Sequence, residues 1–152
     1  MSNHKFNLNQ TVNELGGPSR ELIIVWNQWA AIGLDKFHEE SKANFELYID
    51  GNLKKLELNW DSTFSKDGMK ESTTVADQGG VALAMFVMSV LLEYKYVQQS
   101  EIGTGVDYGF QKSKPNHDNF FSDCHYVEIS GILAESLTNS LEKRIKLKHS
   151  QI

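Results

Sequence analysis

The most regular pattern of apolar and polar positions lies between Phe45 and Trp60. Phe45, Leu47 and Ile49 alternate with Glu46 and Tyr48, and Leu56, Leu58 and Trp60 alternate with Glu57 and Asn59. A period of two marks a half-buried strand, and two such runs around Asp50-Gly51-Asn52 predict a β-hairpin. The turn is either Asp-Gly or Gly-Asn. The Gly-Asn register is preferred because it sets Leu47 opposite Leu56 and Phe45 opposite Leu58. Upstream the period changes. Leu22, Val25, Trp26, Trp29, Ile32 and Phe37 recur mostly at three- and four-residue steps between Arg20 and about Glu40, which predicts one face of a helix. Gly16-Gly17-Pro18 breaks the chain before it, and Ser19 is placed to act as N-cap. Trp26 and Trp29 are expected to anchor the core, with a partner-binding face as the alternative.

Asp61 to Thr74 reads as a polar linker with a turn at Lys66-Asp67-Gly68. Asp77-Gln-Gly-Gly80 opens a second helix running to about Tyr94. It is apolar almost all round and therefore buried on most sides, and Gly79, Gly80, Ala82 and Ala84 permit close packing on a sheet. Lys95 to Ser100, Val106 to Tyr108 and Tyr126 to Ile129 read as strands. Gly103 and Gly105 make the first turn, Lys112 to Asp123 forms a polar loop, and Ser130-Gly131 closes the last strand. Leu133, Leu137, Leu141 and Ile145 predict a final helix to Lys148. Glu135 lies early in it and Lys143, Arg144, Lys146 and Lys148 late, as the helix macrodipole favours. The order predicts an α/β (α+β) protein: a small mixed sheet with an N-terminal helix, a β-hairpin, a buried central helix and a C-terminal helix. A chain of 152 residues forms one domain, 1–152, with helix and hairpin in 1–74 and a second core unit in 75–152.

Composition narrows the class. Hydrophobic residues make up 40% and charged residues 23%, which suits a folded globular chain. The net charge of −5 argues against a stand-alone, sequence-independent nucleic-acid binder, which needs a basic footprint. An acidic site that works through a metal ion remains compatible with it. One cysteine, Cys124, excludes an intrachain disulfide and fits a reducing cytoplasm. The polar start lacks a signal-peptide core. The longest apolar run, Val81 to Leu92 interrupted by Ser89, falls short of the about 20 residues a bilayer requires, so no membrane partner is expected.

Two short runs carry the candidate chemistry: Gly103-Thr-Gly-Val-Asp-Tyr-Gly-Phe110 and His125-Tyr-Val-Glu-Ile-Ser-Gly-Ile132. Asp107 and Glu128 interrupt otherwise apolar strands, and such local contradictions gather at functional sites. From about Val75 to Lys148 the order helix, strand, strand with Asp, strand with Glu, helix resembles the core of the PD-(D/E)xK nuclease-like superfamily, the restriction endonuclease-like core. The runs also resemble those of a group of uncharacterised bacterial proteins with Gly-Thr-Gly-x-Asp-Tyr and Leu-Glu-Val-Ser-Gly-Ile sequences. The superfamily resemblance implies a nuclease dependent on Mg²⁺ or Mn²⁺, with nucleic acid as partner and Asp107 and Glu128 as metal ligands. Asp77 would be an auxiliary acid by position, with Glu93 as the alternative. Ser130 stands where the superfamily carries lysine, which moves that role to Lys146 or Lys148, with Lys143 and Arg144 also available. The superfamily's usual final strand has no counterpart after the last helix, so the core is minimal or a partner supplies a strand.

Plainer readings exist for each residue. Strand carboxylates often point to solvent from an edge, Asp77 suits an N-cap or first-turn role, and the late basic residues suit a solvated face. The alternative function is a non-catalytic interaction protein, an immunity-type or defence-complex accessory subunit that keeps the fold. It would bind a protein partner or a second copy through the Phe45–Trp60 hairpin edge or the Trp26/Trp29 face. His117-Asp118 and Asp123-Cys124-His125 are zinc-compatible types whose spacing fits no structural zinc pattern.

Overall fold

The computed structural model describes residues 4–62, 71–99, 107–113 and 124–132. Ser19 begins α2 (Arg20–Asp35), as its residue type predicts: its backbone is extended and its Oγ accepts from the Leu22 N–H at 3.1 Å. The buried stripe of α2 is Ile23, Trp26, Asn27, Ala30, Ala31, Ile32 and Gly33. The face inferred from the large side chains is therefore rotated. Leu22, Val25 and Phe37 are 41%, 46% and 58% exposed, whereas Trp26 is in the core and Trp29 is half-buried. Small residues decide the orientation, because α2 turns Ala30 toward the second long helix, α3 (Ser72–Phe86). A Cβ added to Gly79 of α3 would lie 3.1 Å from the Ala30 Cα. The glycine thus serves a helix–helix contact rather than the expected helix–sheet one.

The hairpin forms from β2 (Lys42–Ile49) and β3 (Asn52–Asn59), but its turn is Asp50-Gly51. Phe45 pairs with Leu56 and Leu47 with Lys54, so the Gly-Asn register is corrected. The two registers differ by two positions and keep the same side chains on the core face, so hydrophobic matching could not separate them. The turn backbone does. Asp50 and Gly51 have φ of 50° and 79°, the paired left-handed conformation that matches strand twist and that Asp-Gly tolerates.

A third strand, β1 (His4–Asn7), lies parallel to β3 and gives the sheet order β1-β3-β2. Its sequence shows no alternation, and its partner is distant in the chain. Asn7 then starts a short 3₁₀ turn, Leu8–Gln10, by a reciprocal cap with Gln10, followed by α1 (Thr11–Glu14).

α3 begins at Ser72 rather than Asp77. Glu71 is its cap, accepting from the N–H groups of Thr73 and Thr74 at 3.0 and 2.7 Å. After Phe86 the helix continues as a π-helical turn, Val87–Leu91, and the left-handed Glu93 (φ 63°) stops it. Ser72–Leu91 is thus 20 helical residues with a mean hydropathy of 1.5, longer than the apolar run in the sequence. By length and composition it meets the requirement for a membrane span. Its Val75, Ala82, Met85 and Phe86 are nevertheless buried inside the protein.

The second sheet is an antiparallel meander of β4 (Tyr96–Gln99), β5 (Tyr108–Gln111) and β6 (His125–Val127). The described strands thus form two three-stranded sheets, not one. Both contribute to a common core with the helices, including Ile23, Trp26, Leu58, Phe86, Val97 and Phe110. The architecture is α+β.

Candidate functional site

Asp107 precedes β5 and Glu128 follows β6. The last pair of the β5–β6 ladder is Tyr108 with Val127, so continuing the register would set Asp107 opposite Glu128. The pairing slips there: the Asp107 N–H donates to the Val127 carbonyl at 3.1 Å. The Asp107 side chain then reaches past Glu128, and its Oδ2 accepts from the Ile129 N–H at 2.7 Å. One residue thus grips the chain on both sides of Glu128. The slip has the character of a bulge, a device that re-aims a side chain at a sheet end. Asp107 is exposed, while Glu128 is half-buried with its Oε2 enclosed.

The exit from β6 is fixed by a second contact. Gly131 lies so close to α3 that a Cβ on it would stand 2.0 Å from the Ala76 carbonyl oxygen. A Cβ on Gly80 would in turn come within 3.3 Å of the Gly131 Cα. Strand end and helix therefore meet backbone to backbone. Ser130 and Gly131 face a cavity of about 320 Å³ that Ala76, Gly79 and Leu83 of α3 also line.

The structure brings Asp107 and Glu128 to one end of the second sheet. Asp77 lies in the second turn of α3, exposed, and not at the helix start. Glu93 is exposed beyond the far end of that helix. Among the described residues no three His, Cys, Asp or Glu side chains converge to hold a metal ion, so neither acid joins the pair. Lys146 and Lys148, with Lys143 and Arg144, lie outside the described residues, as do His117, Asp118 and Asp123.

Tyr108 escaped the sequence reading. Its phenol is pushed above the usual tyrosine range, first by burial and then by the negative charge of Asp107. Its ring meets Trp26 edge to face at 6.5 Å between centroids. The only sequence signal was its place beside the intruding acid. No family model, curated protein or solved structure matches the chain.

Proposed function

We propose that this chain is a nuclease-like protein that holds Mg²⁺ or Mn²⁺ at the Asp107–Glu128 strand end and engages a phosphodiester of nucleic acid there. One observation carries it: Asp107 binds the backbone on both sides of Glu128, which sets the two acids side by side at the ends of neighbouring strands. Their order after α3 and β4 resembles that of the PD-(D/E)xK core. The donor set also fits. Mg²⁺ takes hard oxygen ligands and is commonly held by one or two carboxylates, with water and substrate phosphate completing the shell. The Ile129 N–H occupies Oδ2 of Asp107 and leaves Oδ1 to offer. Such an ion, when bound, polarises the phosphate and acidifies a water. Asp107 and Glu128 would hold and orient it, while Ser130 would supply a hydroxyl and no charge. The cation that offsets phosphate charge is assigned to Lys146 or Lys148. A single cysteine supports a setting in the reducing cytoplasm.

The test is Mn²⁺ binding by calorimetry together with cleavage of labelled DNA and RNA, in the wild type and in Asp107→Asn/Glu128→Gln. Loss of both properties in the double variant is expected. A wild type that binds neither Mg²⁺ nor Mn²⁺ sinks the proposal.

A specific observation favours the second reading, a non-catalytic interaction protein. Asp107 already serves a structural bond, and among the described residues no third acid joins the pair. Under that reading the hairpin is the binding surface, since Tyr48 on its outer face is 66% exposed. The Trp26 face is not, because Trp26 is buried in the core. Full biological activity of the double variant would select this reading.

A further inference from the structure

Among the described residues the outer edge of β4 is uncovered beyond one bridge, for a reason written in Gly16-Gly17-Pro18. The Gly16 N–H donates to the Lys95 carbonyl at 2.8 Å, and the Gly16 carbonyl accepts from the Val97 N–H at 3.1 Å. This begins a parallel ladder. Its next step needs an N–H at position 18, and proline has none. Gly17 turns the chain away at φ 112°, where a Cβ would lie 2.1 Å from the Val97 carbonyl oxygen. Only glycine passes at that distance and that φ. The chain therefore leaves β4 after one bridge, and Gln98 and Gln99 stay exposed.

A cavity of about 450 Å³ lies over this edge, lined among others by Trp26, Gln78, Tyr96, Gln98, Gln99 and Tyr108. None of its described lining residues is charged. The volume falls in the lower part of the range for small-ligand sites. The half-buried Tyr96 and Tyr108 offer ring surfaces on which any base stacks. The glutamine amides carry the donors and acceptors that complement a base edge. Gln78, Gln98 and Gln99 make no side-chain hydrogen bond among the described residues, so those groups are available. A cavity whose described lining is uncharged and carries amides and aromatic side chains suits a nucleobase rather than a phosphate.

Its place in the sheet completes the case. Gln99 pairs with Tyr108, and Tyr108 pairs with Val127, which makes one row across the three strands. Asp107 and Glu128 are the next residues outward, and Tyr108 of that row lines the cavity. We propose that this cavity takes an unpaired nucleobase from the strand whose phosphate lies at the Asp107–Glu128 end, an inference that rests on the nucleic-acid reading above. Single-stranded or locally unpaired nucleic acid is then the preferred ligand, because a duplex keeps its bases stacked inside.

The experiment measures fluorescence anisotropy in Mg²⁺ with a short labelled single strand, its abasic counterpart and the blunt duplex of the same sequence. The base-bearing strand is expected to bind roughly ten-fold tighter than the abasic one, the scale of one base–aromatic stack. Gln78→Ala/Gln98→Ala should narrow that difference, and Glu128→Gln should weaken both strands. A nucleoside titrated alone, followed through the side-chain amide signals of Gln98 and Gln99, reads the cavity without any phosphate. Equal binding of the two strands with Mg²⁺ dependence intact, or tighter binding of the duplex, overturns the base cavity and leaves the nuclease-like reading standing. Nucleoside-induced shifts with no Mg²⁺-dependent strand binding support the cavity and overturn that reading. Neither shifts nor strand binding overturns both.

Discussion

Replacing Asp107 separates what it does for the fold from what it does for a ligand. Asp107→Ala removes the acceptor of the 2.7 Å bond from the Ile129 N–H. A hydrogen bond to a charged group contributes about 1.5–3 kcal/mol, and an exposed site brings this toward about 1–1.5 kcal/mol because water replaces part of it. For a chain of this size that corresponds to roughly 3–5 °C in the thermal midpoint. Asp107→Asn keeps a carbonyl oxygen for the Ile129 N–H and loses only the charge, so about 0.5 kcal/mol is expected. Urea unfolding gives the stabilities, and hydrogen exchange at the Ile129 amide reports the bond itself. Protection there should fall in Asp107→Ala and persist in Asp107→Asn, while metal binding should be lost in both. Equal stability of all three proteins, with unchanged Ile129 exchange, would refute the two-sided grip on Glu128.

Four further outcomes are expected. The Thr74 hydroxyl and then the Thr74 and Thr73 N–H groups hold the Glu71 carboxyl at about 2, below its ordinary 4.5. A depressed folded value means stability that is present above pH 4.5 and lost as pH falls toward about 2, so the thermal midpoints of wild type and Glu71→Gln should converge across that window. Gly51→Ala meets open space but sits at φ 79°, so the strain alone should cost about 1 kcal/mol in urea unfolding. Gly131→Ala puts a Cβ against the Ala76 carbonyl oxygen and should cost about 3 kcal/mol, whereas an unchanged urea midpoint would mean that the β6 exit does not rest on α3. Trp60→Phe keeps an aromatic ring but deletes the 2.8 Å bond from Nε1 to Asp35 Oδ1 and leaves a void where the buried indole was larger, which together should cost about 2–3 kcal/mol by the same assay.

Elements set by local chemistry were legible in the sequence. The Ser19 cap, the hairpin and the three strands of the second sheet follow from residue type and period, but strand ends shift by up to three residues, which leaves Asp107 and Glu128 just outside the strands expected to carry them. Elements set by distant partners were not. His4–Asn7 becomes a strand only because β3 offers an edge, and nothing in its own pattern announces that. The start of α3 was missed because glutamate is an unusual N-cap, yet its longer carboxylate spans Thr73 and Thr74. On α2 the large side chains misled, since the small Ala30 and Gly33 mark the side that approaches α3. The adjacency of Asp107 and Glu128 was expected from paired strands. The slip between them was not, because it depends on a side-chain bond to the backbone across the hairpin.

His4 to Gly16 are made well before the strands that satisfy them. β1 waits for β3, and Gly16 waits for Tyr96, before the N-terminal segment has partners in either sheet. At ribosomal speeds of roughly 5–20 residues per second, that segment spends on the order of ten seconds without them. Closure over such long stretches of chain also slows refolding relative to a helical bundle of equal size. During that interval Phe6 and Leu8, both destined for the core or its margin, are open to other contacts. Chaperone capture during synthesis should therefore concentrate on the N-terminal segment and cease once β4 has emerged.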